Sequence, residues 1–236
     1  MAWIVGAGSG IGSASAVELA RSGWDVALSG RRRDALESTA QRVQEAAGES
    51  LVLPLDVRDG SPADLVDTVL RTWGRVDGLV LAAGTNTPRR TWTDQRMEDV
   101  EDIVQTNLVG VLRVLHAALP ALRSSRGQLV LVSSFAGWTY QPSAGIAYGA
   151  TKTALGTLAR SINSQEAHAG VRACHLCPGD VDTEFLRMRP EVPDEAARAV
   201  MLAASDVAAA VGFVLNSPDH VRVDELVISP VSQVPR

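Results

Sequence analysis

Between Ala147 and Lys152 the chain reads AYGATK, which sets a tyrosine and a lysine four residues apart. On a helix that spacing puts both side chains on one face. A free tyrosine titrates at about pH 10, and a neighbouring ammonium favours the phenolate, so Tyr148 beside Lys152 can exchange a proton near neutrality. The lysine is singular: of the 22 Lys plus Arg residues, Lys152 is the only lysine. A guanidinium is a planar fork that does not deprotonate, whereas an ammonium is a compact charge with three rotating donors. In a chain this biased towards arginine, one lysine is either a survivor of drift or a site that needs the smaller cation, and its surroundings decide between the two. Upstream, the apolar run LVLVSS ends at Ser133–Ser134, where a hydroxyl could hold a substrate oxygen.

A second constellation sits at the start of the chain. The run AWIV leads into GAGSGIG, with Gly6, Gly8, Gly10 and Gly12 ahead of a helical pattern. Glycines let the backbone turn tightly and approach a pyrophosphate, which then rests on the free N–H groups of the helix N-terminus. Its position between a predicted strand and a predicted helix is the context a dinucleotide loop requires. Further on, where a fold that prefers NAD carries an acid for the ribose 2′-hydroxyl, the sequence is LSGRRRDAL. Arg31 and Arg32 there match a 2′-phosphate, so NADP(H) is expected over NAD(H), with Asp34 as a helix cap.

Elements that could position these groups alternate along the whole chain. The apolar runs AWIVG, WDVALS, SLVLPLD, VDGLVLAA, GQLVLVSS, VRACHLC and VDELVIS read as strands. Amphipathic patterns lie between them. Near-continuous apolar strands indicate a parallel sheet covered on both faces, and strand–helix repetition predicts a doubly wound α/β fold. No repeat or linker divides the chain, so residues 1–236 are expected to form one domain. An irregular insert at about 180–204, ahead of the last strand, is a candidate substrate lid, because ligands in such sheets bind beyond the carboxyl ends of the strands. Its Arg187 and Arg189 could clamp a carboxylate.

Composition narrows the partners. The net charge of −5 gives no bulk attraction to nucleic acid or anionic lipid. No apolar stretch suggests a membrane span, and the N-terminus has no leader-like pattern, so a cytoplasmic protein is expected. Cys174 and Cys177 stand in a C-x-x-C spacing, but no second ligand pair has usable spacing for zinc, and His175 between them has no evident partner. Residues three apart on a strand face opposite sides, so both cysteines read as core and no metal is expected.

Taken together, these motifs resemble the short-chain dehydrogenase/reductase family over essentially the whole chain. The family's T-G-x-x-x-G-x-G loop appears as VGAGSGIG, with Val5 in place of threonine. Its serine and Y-x-x-x-K signature falls on Ser134, Tyr148 and Lys152, and its N-x-x-G on Asn107. Its P-G-x-V-x-T segment falls on Pro178, Gly179, Val181 and Thr183, and its adenine aspartate on Asp56. The family's NNAG is LAAG here, and the C-terminal VDELVISP is similar to an NADP-dependent hydroxy-acid and serine dehydrogenase subgroup.

The resemblance implies a Rossmann-like sheet of about seven strands and hydride transfer between a nicotinamide and a ketone or secondary alcohol, hydroxy acids included. It gives Tyr148 the carbonyl proton, Ser134 the carbonyl oxygen, Lys152 the cofactor ribose, and Asn107 a relay water behind Lys152. The implied cofactor contacts are Gly6, Gly8, Ser9, Gly10, Ile11, Gly12, Arg31, Arg32, Asp56, Val57, Ala83, Gly84, Tyr148, Lys152, Pro178, Gly179, Val181 and Thr183. It also implies a homodimer or homotetramer. One alternative is a 3-oxoacyl-(acyl carrier protein) reductase, which needs a basic docking patch. Another is a non-catalytic dinucleotide-binding redox sensor, which would be expected to have lost part of the Ser–Tyr–Lys set.

Overall fold

The computed structural model describes residues 1–233; the end of the expected domain, 234–236, lies outside the described residues. Each predicted apolar run contains a strand: β1 (Ala2–Val5), β2 (Val26–Gly30), β3 (Ser50–Pro54), β4 (Gly78–Leu81), β5 (Gln128–Val132), β6 (Arg172–Pro178) and β7 (Glu225–Ile228). They form one parallel sheet in the order β3-β2-β1-β4-β5-β6-β7. Order reverses between β1 and β4, and the crevice beyond their carboxyl ends is the place such a sheet offers a ligand.

The apolar strands are explained by two cores. Trp3, Val5, Leu79, Leu81, Leu129 and Leu131 face one side; Ala2, Ile4, Val80 and Val130 face the other. Helices α1 (Gly10–Arg21), α2 (Arg33–Glu45) and α6 (Ala204–Leu215) cover the second side through Val17, Leu36 and Val211. Helices α3 (Pro62–Trp73), α4 (Met97–Ser125) and α5 (Ile146–Gln165) cover the first through Val69, Val114 and Leu155.

Three expectations are corrected by this packing. The α4 run of 29 residues is long and apolar enough to cross a membrane, yet Val111, Val114, Ala118 and Leu122 are buried in the core between α4 and the sheet. Its apolar stripe is a core-facing one. Asp34 does not cap α2: the helix starts at Arg33 with Arg32 at the N-cap, and Asp34 lies in the first turn, where it complements the helix dipole. The insert is less irregular than its sequence suggests. Val181–Asp182 pairs in parallel with Leu202–Ala203, bracketing a 3₁₀ turn at Glu184–Met188 and a helical turn at Glu195–Arg198.

The glycine loop is set by close backbone approach. Gly6 has φ +94°, and a Cβ on Gly12 would lie 2.2 Å from the Gly6 carbonyl oxygen. Backbone cannot yield there as a flexible side chain would. Gly12→Ala is therefore expected to lower unfolding free energy by about 1–3 kcal/mol, the usual cost of overpacking. Urea unfolding followed by circular dichroism checks it; an unchanged midpoint would contradict this account of the loop.

Candidate active site

A cavity of about 1020 Å³ occupies the crevice at the carboxyl end of the sheet. One end is built by the β1–α1 loop. Gly6, Gly8, Ser9, Gly10, Ile11 and Gly12 line it, and α1 begins there with extended Ser9 at the N-cap and no side-chain cap. The first-turn N–H groups of a helix have no intrahelical acceptor. A helix start that no side chain caps, opening into a glycine-lined cavity, fits a phosphate. Beside it lie Arg31, Arg32, Asp56 and Val57.

Two of these groups have partners the sequence did not reveal. Asp56 accepts from the Arg58 backbone N–H at 3.0 Å and pairs with its guanidinium at 2.9 Å, which holds the carboxyl below the usual carboxylate range. Arg58 also reaches Asp102 at 3.5 Å. Arg32 lies 3.8 Å from Glu184 of the insert, an exposed pair of little energetic weight. Val57 lines the cavity and also packs in the core, where a Cβ on Gly110 would lie 2.6 Å from it.

At the other end stand Ser134, Tyr148 and Lys152. Lys152 is 4 % exposed, and its ammonium donates to the Val132 carbonyl at 2.9 Å. Burial pulls its pKa down to about 8. The expected lowering of the tyrosine is not what this geometry gives. Tyr148 is 9 % exposed, and its phenol is pushed above the ordinary range by burial. Hydrogen bonding with Ser134 and the charges of Arg90 and Arg189 pull the other way without reversing it. The Lys152 ammonium lies 5.6 Å from the Tyr148 ring centroid. In the protein alone it is thus a neighbour that does not make the phenolate favourable.

Several contacts hold this end together. The Ser133 hydroxyl donates to the Lys152 carbonyl at 2.9 Å, tying the end of β5 to α5. Gly137 permits that approach: a Cβ there would lie 2.3 Å from Ser133 Oγ. Ser134 caps the short turn Phe135–Trp138, accepting from the Ala136 N–H at 3.2 Å.

Asn107, the one expected site residue that does not line the cavity, sits in a π-helical turn of α4, Gln105–Val109. It is fully buried, accepts from the Thr85 N–H at 2.8 Å and donates to the Thr85 carbonyl at 2.9 Å. A Cβ on the neighbouring Gly84 would lie 3.5 Å from Lys152 Nζ and 3.6 Å from Asn107 Oδ1, so both atoms converge on that glycine. Ala83 and Gly84, and Pro178, Gly179, Val181 and Thr183 across the crevice, complete the lining.

Sequence reading missed Arg90. Its guanidinium donates to the Thr87, Ser143 and Met188 carbonyls, each at 2.8 Å, and so pins the insert to two loops around the cavity. Burial lowers its pKa. Within the insert, Phe185 packs on Tyr148 with ring centroids 5.8 Å apart. Arg189 pairs with Asp180, while Arg187 lines the cavity. Nothing in the local sequence around Arg90 announces three carbonyl partners from separate segments.

His175 does have a partner, contrary to expectation: its Nδ1 lies 3.0 Å from Glu225 Oε2 on β7. Cys174 and Cys177 do face opposite sides, Cys174 in the core with Leu176 and Cys177 against His175.

Comparison with known proteins agrees with this geometry. The family model for short chain dehydrogenase matches residues 1–193. An uncharacterized oxidoreductase of Staphylococcus aureus is 32% identical over 233 residues, covering 98% of this chain and 97% of the relative. An alcohol dehydrogenase from Thermococcus sibiricus, solved with 5-hydroxy-NADP, superposes with a TM-score of 0.89 at 34% identity over 100% of this chain and 98% of its own. Serine dehydrogenase from Escherichia coli superposes with a TM-score of 0.83 at 25% identity over 99% of both chains. The chain belongs to the short-chain dehydrogenase/reductase family, and is an oxidoreductase built to use a nicotinamide dinucleotide on a small molecule.

Proposed function

We propose that the protein reduces a ketone with NADPH and, in reverse, oxidises the corresponding secondary alcohol, hydroxy acids included. The observation that carries the reading is a single cavity with Ser134, Tyr148 and Lys152 at one end and Arg31 and Arg32 at the other. When bound, the cofactor supplies the hydride and the protein orients and polarises.

The glycine loop and Arg31 with Arg32 would hold the phosphates. Asp56 and Val57 would flank the adenine, and Ala83, Gly84 and Pro178 to Thr183 would line the rest. Ser134 donates to the substrate oxygen, and Tyr148 gives that oxygen its proton in reduction. A phenol kept protonated by burial suits proton donation. Lys152 offers its ammonium to the ribose hydroxyls. Asn107 secures Thr85 and so the floor at Gly84, where a relay water would meet Lys152. The segment at about 180–204 closes over the substrate, with Phe185 already against Tyr148. Arg187, which has no ion pair among the described residues, is the candidate for an anionic substrate group, since Arg189 is engaged by Asp180. The intact Ser–Tyr–Lys set argues against a redox sensor. The acyl-carrier-linked alternative lacks support from the net charge of −5.

Long helices α4 and α5 are proposed to pair across a two-fold axis in a dimer or tetramer; Leu112 on α4 is an exposed apolar side chain. Light scattering at micromolar concentration is expected to exceed the mass of one 24.9 kDa chain. A monomer mass would refute the pairing.

Cofactor choice follows from the arginines. NADP(H) is expected to bind tighter than NAD(H), and Arg31→Asp with Arg32→Ala to shrink or reverse the preference. Each charge-assisted contact contributes about 1.5–3 kcal/mol. Fluorescence titration of both cofactors checks it, and equal wild-type affinities would overturn it.

Lys152→Arg keeps the charge and is expected to lower kcat/KM by at least about 10²-fold, within the usual range for acid–base groups. The guanidinium fork is too bulky for a site this closed. Tyr148→Phe is expected to lose more, because it removes the proton itself. Turnover on a panel of ketones and keto acids, with circular dichroism to confirm folding, is the measurement. Near-wild-type activity of Lys152→Arg would contradict the assignment.

A further inference from the structure

Two sequence features stand outside the chemistry above: the cysteine pair around His175, and the acidic C-terminal strand VDELVIS. The fold brings them together. His175 and Cys177 are two apart on β6 and so share a face, and His175 is the register partner of Glu225 on β7. The imidazole Nδ1 lies 3.0 Å from Glu225 Oε2 and 3.4 Å from Cys177 Sγ, and the ligand atoms of all three lie within 4.8 Å of one another. The backbone of α5 presses on the ring from the far side: a Cβ on Gly156 would lie 3.0 Å from His175 Cε1.

We propose that His175, Cys177 and Glu225 form a binding site for a borderline-soft divalent cation of the zinc class, tying the edge strand β7 to β6. Tetrahedral zinc with ordinary bond lengths separates a nitrogen and an oxygen ligand by about 3.3 Å, and a nitrogen and a sulfur by about 3.6 Å. The two separations that involve Nδ1 are each within a few tenths of an ångström; the sulfur and the carboxylate lie within 4.8 Å of each other, and binding would draw the half-exposed Glu225 side chain in to about 3.6 Å from the sulfur. The mixed donor set favours zinc over magnesium or calcium, which take oxygen ligands.

Charge supports the assignment. Among the described residues the Glu225 carboxylate has no lysine or arginine in ion-pair range; its one charged-type neighbour is His175. Asp224, the adjacent acid, is engaged by Arg222 and Asn163. A thiolate and a carboxylate neutralise a divalent ion, so loading leaves no net charge beside buried Lys152. Burial holds the free Cys177 thiol up at about 12, but a coordinating metal deprotonates a thiol outright. The binding step therefore forms the metal–sulfur bond as the Cys177 S–H bond breaks, and the thiol proton passes to solvent. Glu225 is 40 % exposed on its side chain and gives the ion an entry. No reading of C-x-x-C spacing finds this set, because the third ligand comes from a different strand.

The test is titration of the untagged full chain with Co²⁺ and with Zn²⁺. Expected are saturation near one equivalent, a sulfur-to-cobalt charge-transfer band, and release of about one proton per ion in calorimetry across buffers. Cys177→Ser is expected to abolish the band and Glu225→Gln to weaken binding at least about tenfold. Absence of saturable binding would overturn the proposal, as would binding undiminished in Cys177→Ser or, should that variant not fold, in Glu225→Gln. These readouts do not depend on turnover, so they stand or fall apart from the oxidoreductase reading.

Discussion

The molecule keeps one ammonium ion out of water. Lys152 sits 4 % exposed and, among the described residues, has a carbonyl and no carboxylate as its hydrogen-bond partner. Its pKa is drawn from 10.5 to about 8, which at 1.36 kcal/mol per unit costs on the order of 3 kcal/mol at neutral pH. That is a sizeable fraction of the net stability of an ordinary domain. A chain whose other Lys and Arg positions are all arginine retains this costly lysine where the cavity, the glycine floor and the tyrosine meet.

Much of the local architecture is organised by that requirement. The carbonyl of Val132 at the end of β5 receives the ammonium, and Ser133 binds the carbonyl of Lys152 itself, so strand and helix hold each other in register. Gly137 admits the contact. Gly84 leaves room above the ammonium, and Asn107 fixes the loop that carries Gly84 by clamping both backbone groups of Thr85. A buried amide satisfied in this way is strongly specifying, because a misplaced loop would strand its donors. Tyr148 shares the same desolvated wall, and its proton is held by burial instead of being released to a nearby cation.

What could be read from the sequence is what depends on local pattern. Apolar runs found all the strands of the main sheet, because burial on both faces leaves no polar alternation to misread. The glycine loop and the Tyr-x-x-x-Lys spacing placed both ends of the cavity, because each is a short-range geometric necessity. Apart from Asp34, which a one-residue offset in the start of α2 moves from cap to first turn, the misses involve a third dimension. Arg90 binds carbonyls of Thr87, Ser143 and Met188, residues far apart in the chain. His175 meets Glu225 only once β6 and β7 pair. The α4 helix has membrane-like composition, and only packing shows which of its apolar residues face the core and which, like Leu112, stay exposed. The direction of the tyrosine shift turned on the amount of burial, which spacing cannot report.

The lone ammonium is buried, has no carboxylate partner among the described residues, and titrates at about 8. Because the chain contains a single lysine, labelling with ¹³Cε,¹⁵Nζ-lysine places one side-chain resonance in the spectrum of the intact protein. Its chemical shift, followed against pH in the cofactor-free protein, is expected to turn over at about 8. A midpoint at the ordinary lysine value of 10.5 would contradict the account, because it would mean that Lys152 is either hydrated or paired with a charge that the packing described here does not contain.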